Sequence, residues 1–278
     1  MATAIMKNTE AQPWALWLSF PLALLLADAS LTGLFSPSPY TAETRLHAAQ
    51  TVGNDVGNLA VVAPVLTVAA VLALRGSLAG RLVWMGTLVY LIYDFFGYAF
   101  DLHFNPMFLA YCGILGLSFY ALAGSVPALP VGEAARRYGA RAPVKGSAVL
   151  LLLMSLGTAY HWLAEVVPAM LAGQTPQAVR DAGHFTEPVA VLDLAFGLPA
   201  CLIAAILLLR RKPLGFVLGP VLLTFLALSS LVLVPMGRSM EQQGFKAGFA
   251  LYATAAGIAA GSAILLTLWF REGEAGKQ

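Results

Sequence analysis

Eight uninterrupted apolar runs punctuate this chain. Each is about twenty residues long, the length at which an α-helix crosses about 30 Å of hydrocarbon. The runs fall near residues 14–35, 56–75, 79–101, 106–125, 147–171, 188–209, 213–235 and 247–270. Charged residues make up 11% of the chain, against about 25% in a soluble domain, so the runs have little polar surface with which to face water. The fold class is therefore all-α: a polytopic membrane protein with eight transmembrane helices and the lipid bilayer as its first partner. The net charge of +2 is small, and the basic residues lie between the runs or at their ends, which points to orientation and argues against nucleic acid as a partner.

The basic residues test the count. Lys7, then Arg75 and Arg81, then Arg136, Arg137, Arg141 and Lys145, then Arg210, Arg211 and Lys212, and lastly Arg271 and Lys277 occupy alternate connections. The intervening connections are poorer: Arg45, none at 102–105, Arg180, then Arg238 and Lys246. An even number of spans with both termini in the cytoplasm follows from the positive-inside bias, and the plasma (inner) membrane is the expected location. Lys7, the apolar stretch from Trp14 and the triplet Ala27-Asp28-Ala29 imitate a cleavable signal, but the stretch is read as a retained first span. Cys112 and Cys201 lie in different spans at different depths, so no disulfide between them is expected.

Comparing residues 135 positions apart shows a second regularity. Arg45 meets Arg180, Pro64 meets Pro199, Arg75 meets Arg210, Gly80 meets Gly215, and the polar pair Asn58 and Asp193 coincide. Matches between Ala or Leu are expected by chance in such helices; matches of Pro, Arg and Gly are not. The expected architecture is two four-helix repeats, 1–145 and 146–278, inserted alike and related by a pseudo-twofold axis along the membrane normal. Residues 41–51 and 175–182 each read as a short interfacial helix, ended before Gly53 and Gly183. Pro64 and Pro199 are expected to kink their spans.

Polar residues are distributed unevenly. All four histidines (His47, His103, His161, His184) fall on the expected outer side, and so do Asp28, Asp55, Asp94, Asp101, Glu165, Glu187 and Asp193. The inner halves of the spans contain no Asp, Glu or His. An ionisable group in mid-membrane costs about 2.5–3.5 kcal/mol on insertion scales, so a one-sided layer of them implies a protein-lined, outward-opening cavity. Expected to line it are the second, third, fifth and sixth spans.

Within the layer, His161 and Glu165 share a helix face at a spacing of four. That spacing suits either a carboxylate-oriented imidazole or an interhelical hydrogen bond. His161, Glu165 and Asp94 are the candidate catalytic groups. Asp55, Asn58, Tyr98, Asp101, Asn105 and Asp193 are the candidate substrate-binding residues. His103, His161, His184 and Glu187 are the candidate metal ligands, with a metal or a histidine-ligated haem as possible cofactor. None of the specific motifs of zinc proteases, nucleotide-binding loops or serine hydrolases is present, so the signal is clustering alone. The sequence supports three readings: an enzyme acting on a lipid or other apolar small molecule, a non-catalytic haem, metal or ligand-binding protein, and a transporter of a small solute.

Overall fold

The computed structural model describes residues 13–36, 38–140 and 142–275. Lys7, Arg141 and Lys277 lie outside the described residues. Among the described residues eight helices are long and apolar enough to span a bilayer: α1 Trp14–Phe35, α2 Arg45–Leu74, α3 Leu78–Phe100, α4 Phe108–Ala128, α5 Val144–Leu171, α6 Pro188–Leu209, α7 Gly215–Gln242 and α8 Gly248–Arg271. The protein is a polytopic helical membrane protein, with span boundaries close to those read from hydropathy except at the start of α2 and the end of α7.

α3 and α7 are the most enclosed helices, and α5 and α8 the most exposed to lipid. Because lipid is as apolar as leucine, helices associate through close packing and hydrogen bonds rather than by exclusion from water. α2 and α7 show the packing term. A side chain at Gly53 would place its Cβ 2.3 Å from Met236 Cα, so only glycine lets these backbones approach. The same holds for α3 and α7 at Gly86, where a Cβ would come within 2.5 Å of Val221 O. Hydrogen bonds supply the other term, with Trp84 Nε1 donating to Ser19 Oγ at 2.7 Å and Trp269 Nε1 to Ser147 Oγ at 2.9 Å.

Gly53 thus has a different role from the one expected of it. The separate interfacial helix over 41–51 does not form; residues 45–51 supply the first turns of α2, capped by the Thr44 hydroxyl on His47 N–H. In the second half a separate short helix does form, Gln177–Ala182, ended by Gly183 at φ +79°. α7 likewise runs past its expected end, through Pro235 to Gln242.

Both mid-span prolines follow a widened turn. Residues Asn58–Val62 and Asp193–Gly197 are π-helical, with Ala63 N–H bonded to Asn58 O and Leu198 N–H to Asp193 O. A proline has no N–H to give and its ring collides with the carbonyl four residues back; one wide turn removes both conflicts without breaking the helix.

The connections after α1, α3, α5 and α7 meet at the end of the bundle opposite the described chain ends. Thr44 Oγ1 donates to Ala182 O at 3.0 Å and Arg45 Nη2 to Gln243 O at 3.2 Å. Three of the four histidines gather at this end, hereafter the histidine face.

Candidate metal centre

Two polar layers lie under the histidine face. The deeper one consists of three carboxylates, each held by two neutral donors. Asp55 on α2 accepts from Tyr40 at 2.6 Å and Tyr98 at 2.9 Å. Asp94 on α3 accepts from Asn54 and, at 2.8 Å, from Asn58, whose own amide oxygen takes the Tyr90 hydroxyl. Asp193 on α6 accepts from Tyr93 at 3.0 Å and from Trp162 Nε1 at 2.8 Å. These bonds join α2, α3, α5, α6 and the Tyr40 segment, and they occupy the oxygens that a substrate or metal would need. Buried carboxyls are tolerable only when satisfied in this way.

The shallower layer is different. Asp101, at the C-terminal end of α3, lies seven residues above Asp94, about 10 Å along the axis. Its Oδ2 is 3.1 Å from His184 Nε2 and 3.6 Å from His47 Nε2. His184 Nε2 also lies 3.2 Å from His47 Nδ1. One ligand atom from each of His47, Asp101 and His184 falls within 4.8 Å of the others. Ligand bonds of 2.0–2.2 Å at tetrahedral angles place ligand atoms about 3.4 Å apart, so the observed spacing needs little closure around a cation.

Glu43 stands behind this triad. Its side chain is 2% exposed. Oε1 accepts His103 N–H at 2.7 Å, and Oε2 lies 3.1 Å from both His47 Nδ1 and His103 Nδ1. Burial works against its charge, but the bonds from His47 and His103 outweigh burial and bring its pKa down to about 2. A carboxylate on Nδ1 of a histidine whose Nε2 faces a cation position fixes the tautomer that ligation requires. Burial lowers His184, with Asp101 opposing, which favours the neutral ligand form; burial raises Asp101, with His184 and His47 opposing. His184 Nδ1 is buried without a hydrogen-bond partner among the described residues.

The structure therefore gathers four of the residues singled out from sequence, Asp101, His103, His184 and Glu187. Glu187 sits near enough to feel Asp101 and His47, and burial first, then Asp101, raises its pKa. Asn105 shapes the connection that carries His103, donating to His103 O at 3.0 Å and accepting from Met107 N–H at 2.9 Å. Asp55, Asn58, Asp94, Tyr98 and Asp193 lie in the deeper layer. His161 and Glu165 are not among the triad: His161 is exposed on α5 beside Trp162, and Glu165, near enough to raise the pKa of Glu187, caps the short helix through Ala178 N–H at 3.1 Å.

The sequence placed His47 in the outer polar layer without marking it as a ligand, and Glu43 was not singled out. The signal was present as a carboxylate and a histidine four apart, the spacing that drew attention to His161 and Glu165. An apolar groove of about 340 Å³ between α2, α3 and α8, lined by Val68, Leu72 and Phe270, lies at the opposite end of the bundle. Its one polar lining residue, Ser77, caps α3 through Gly80 N–H, so the groove has no part in this chemistry.

Comparison with models of protein families, with curated proteins and with solved structures gave no match to this chain.

Proposed function

We propose that this protein is a membrane-embedded, metal-dependent enzyme that acts on a lipid or other apolar molecule presented at the bilayer surface. The observation that carries the proposal is the convergence of His47, Asp101 and His184 from three separate segments, with Glu43 aligned behind His47. Two imidazoles and one carboxylate suit zinc or ferrous iron and leave coordination positions open; such a cation supplies Lewis acidity and activates water near neutral pH. His103, whose side chain is 57% exposed and held by Glu43, is the group placed to exchange protons with a substrate. In a hydrolytic reaction, water oxygen joins the acyl carbon, the bond to the leaving group breaks, and His103 carries the proton to that group. Carboxylates surround the centre, while Arg45, Arg180 and Arg238 bond elsewhere, which favours an uncharged head over an anionic one.

Two further parts of the reading concern topology. The histidine face is proposed as the outer one, with the described chain ends cytoplasmic; the grouping of Arg75, Arg81, Arg210, Arg211, Lys212 and Arg271 at the other end supports this. A duplication of four helices is supported by the two π turns, which lie 135 residues apart, and by positive φ at Gly76 and Arg211, again 135 apart.

The test is elemental analysis of the purified protein together with turnover of long-chain neutral esters and amides. Expected are close to one zinc or iron per chain and turnover that a chelator abolishes, both lost in His184→Ala and Asp101→Ala. Protein that folds, binds neither metal and loses nothing on these substitutions would refute the proposal. Metal without turnover would leave the site as a non-catalytic metal-binding centre.

A further inference from the structure

The apolar groove at the end of the bundle opposite the histidine face has both a direction and a charge. On α2 its wall is the exposed stripe Pro64, Val68 and Leu72, and Arg75 continues that face three residues further on. Val83 of α3 and Phe270 of α8 form the other walls. α2 and α3 close together at the inner end, where a Cβ at Gly80 would lie 2.5 Å from Leu72 Cβ. From Pro64 to Arg75 the stripe runs about 16 Å along the axis, against about 15 Å for the hydrocarbon of one leaflet. The groove encloses about 340 Å³. A helix about 10 Å across would need roughly four times that over the same length, so an extended chain enters where a helix cannot.

The charge at the inner end has one sign. The α2–α3 hairpin carries no Asp or Glu between Asp55 and Asp94. Its two arginines differ: Arg81 is buried and donates to Ala128 O, whereas Arg75 is exposed and its guanidinium has no acceptor among the described residues. Arg271 follows Phe270 on α8, but Glu272 comes next, so α8 adds no net charge there. At the same level Ser77 Oγ takes the Gly80 N–H, which leaves those of Leu78 and Ala79 without intrahelical acceptors.

We propose that this groove binds one anionic phospholipid of the adjoining leaflet, with an acyl chain along Pro64, Val68 and Leu72 and the phosphate at Arg75. The chain alone would give no selectivity, because lipid surrounds the helices whether or not the groove is filled. The head group supplies it. A guanidinium forms paired, charge-assisted hydrogen bonds with phosphate, and basic positions between helices at a cytoplasmic face hold anionic lipid heads. The groove shares no residue with the metal centre, so its failure as a lipid site would leave that proposal untouched.

The test uses the full chain, freed of lipid in detergent and read by native mass spectrometry after addition of phosphatidylglycerol, phosphatidylcholine or glycerol phosphate. One phosphatidylglycerol per chain should be retained about fivefold or more over phosphatidylcholine, the effect of a single basic residue on an anionic head, and glycerol phosphate should not be retained. Arg75→Gln should bring the two lipids level, while Arg210→Gln, on the α6–α7 connection, should keep the preference. Val68→Trp, at a position 59% exposed, should narrow the groove and lower retention of both lipids with a native unfolding midpoint. Equal retention of the two lipids by the native protein overturns the inference, as does a preference that survives Arg75→Gln. Retention of glycerol phosphate overturns it too, since it would mark an anion site that needs no chain.

Discussion

Replacing Glu43 by glutamine tests whether the centre is built to hold a cation. The substitution preserves shape and volume but leaves one oxygen where there were two. Both are in use, Oε1 by His103 N–H and Oε2 by the Nδ1 atoms of His47 and His103. If the glutamine amide nitrogen takes the Oε1 position, it faces a backbone donor. If it takes the Oε2 position, His47 must accept at Nδ1, which puts its hydrogen on Nε2, the atom that faces Asp101. The first orientation therefore breaks a bond, and the second keeps the bonds but reverses the one to His47 and so blocks ligation. Loss of such an orienting carboxylate ordinarily costs about 10–100-fold in metal affinity, or about 1.4–2.8 kcal/mol. Zinc titration against a chromophoric chelator, run on native protein, Glu43→Gln and His47→Ala, measures this directly. The expected order of affinity is native, then Glu43→Gln, then His47→Ala. Native-like affinity in Glu43→Gln would refute the orienting role, and native-like affinity in His47→Ala would refute the site.

His103→Ala should retain the metal while turnover falls about 10²–10⁴-fold, the usual contribution of a general acid–base group, as elemental analysis and initial rates would show. Asp193→Ala should leave metal stoichiometry unchanged but lower the unfolding midpoint in detergent, because the Tyr93 and Trp162 donors lose their acceptor at about 1–3 kcal/mol for each that stays buried. Gly53→Ala should cost about 1–3 kcal/mol in the same unfolding assay through overpacking against Met236, with Gly76→Ala, where no atom lies within 4 Å but φ is +81°, reporting backbone strain without a clash. His161→Ala, at an exposed position, should change stability by no more than about 0.5 kcal/mol and leave metal content unaltered.

The eight spans were legible because lipid imposes its requirement locally. Each helix must satisfy its own backbone and be apolar along its own length, so twenty consecutive residues carry the whole signal. The one-sided polar layer was legible for the same reason, since depth follows from position along a span. Pairings between segments were not. The spacing of His161 and Glu165 resembles that of Glu43 and His47, yet in the first pair His161 is exposed and Glu165 caps a short helix, while the second forms the back wall of the centre. Which pair matters depends on the rotation of each helix, and that is set by contacts such as Gly53 against Met236, between residues far apart in sequence. Asp94 and Asp101 share a face of α3, but only the packing of α2 gives Asp94 two amide donors and leaves Asp101 to the histidines. The sequence alone thus determined which residues share a depth, through local hydrophobicity; the tertiary structure decided which of them touch, through long-range packing.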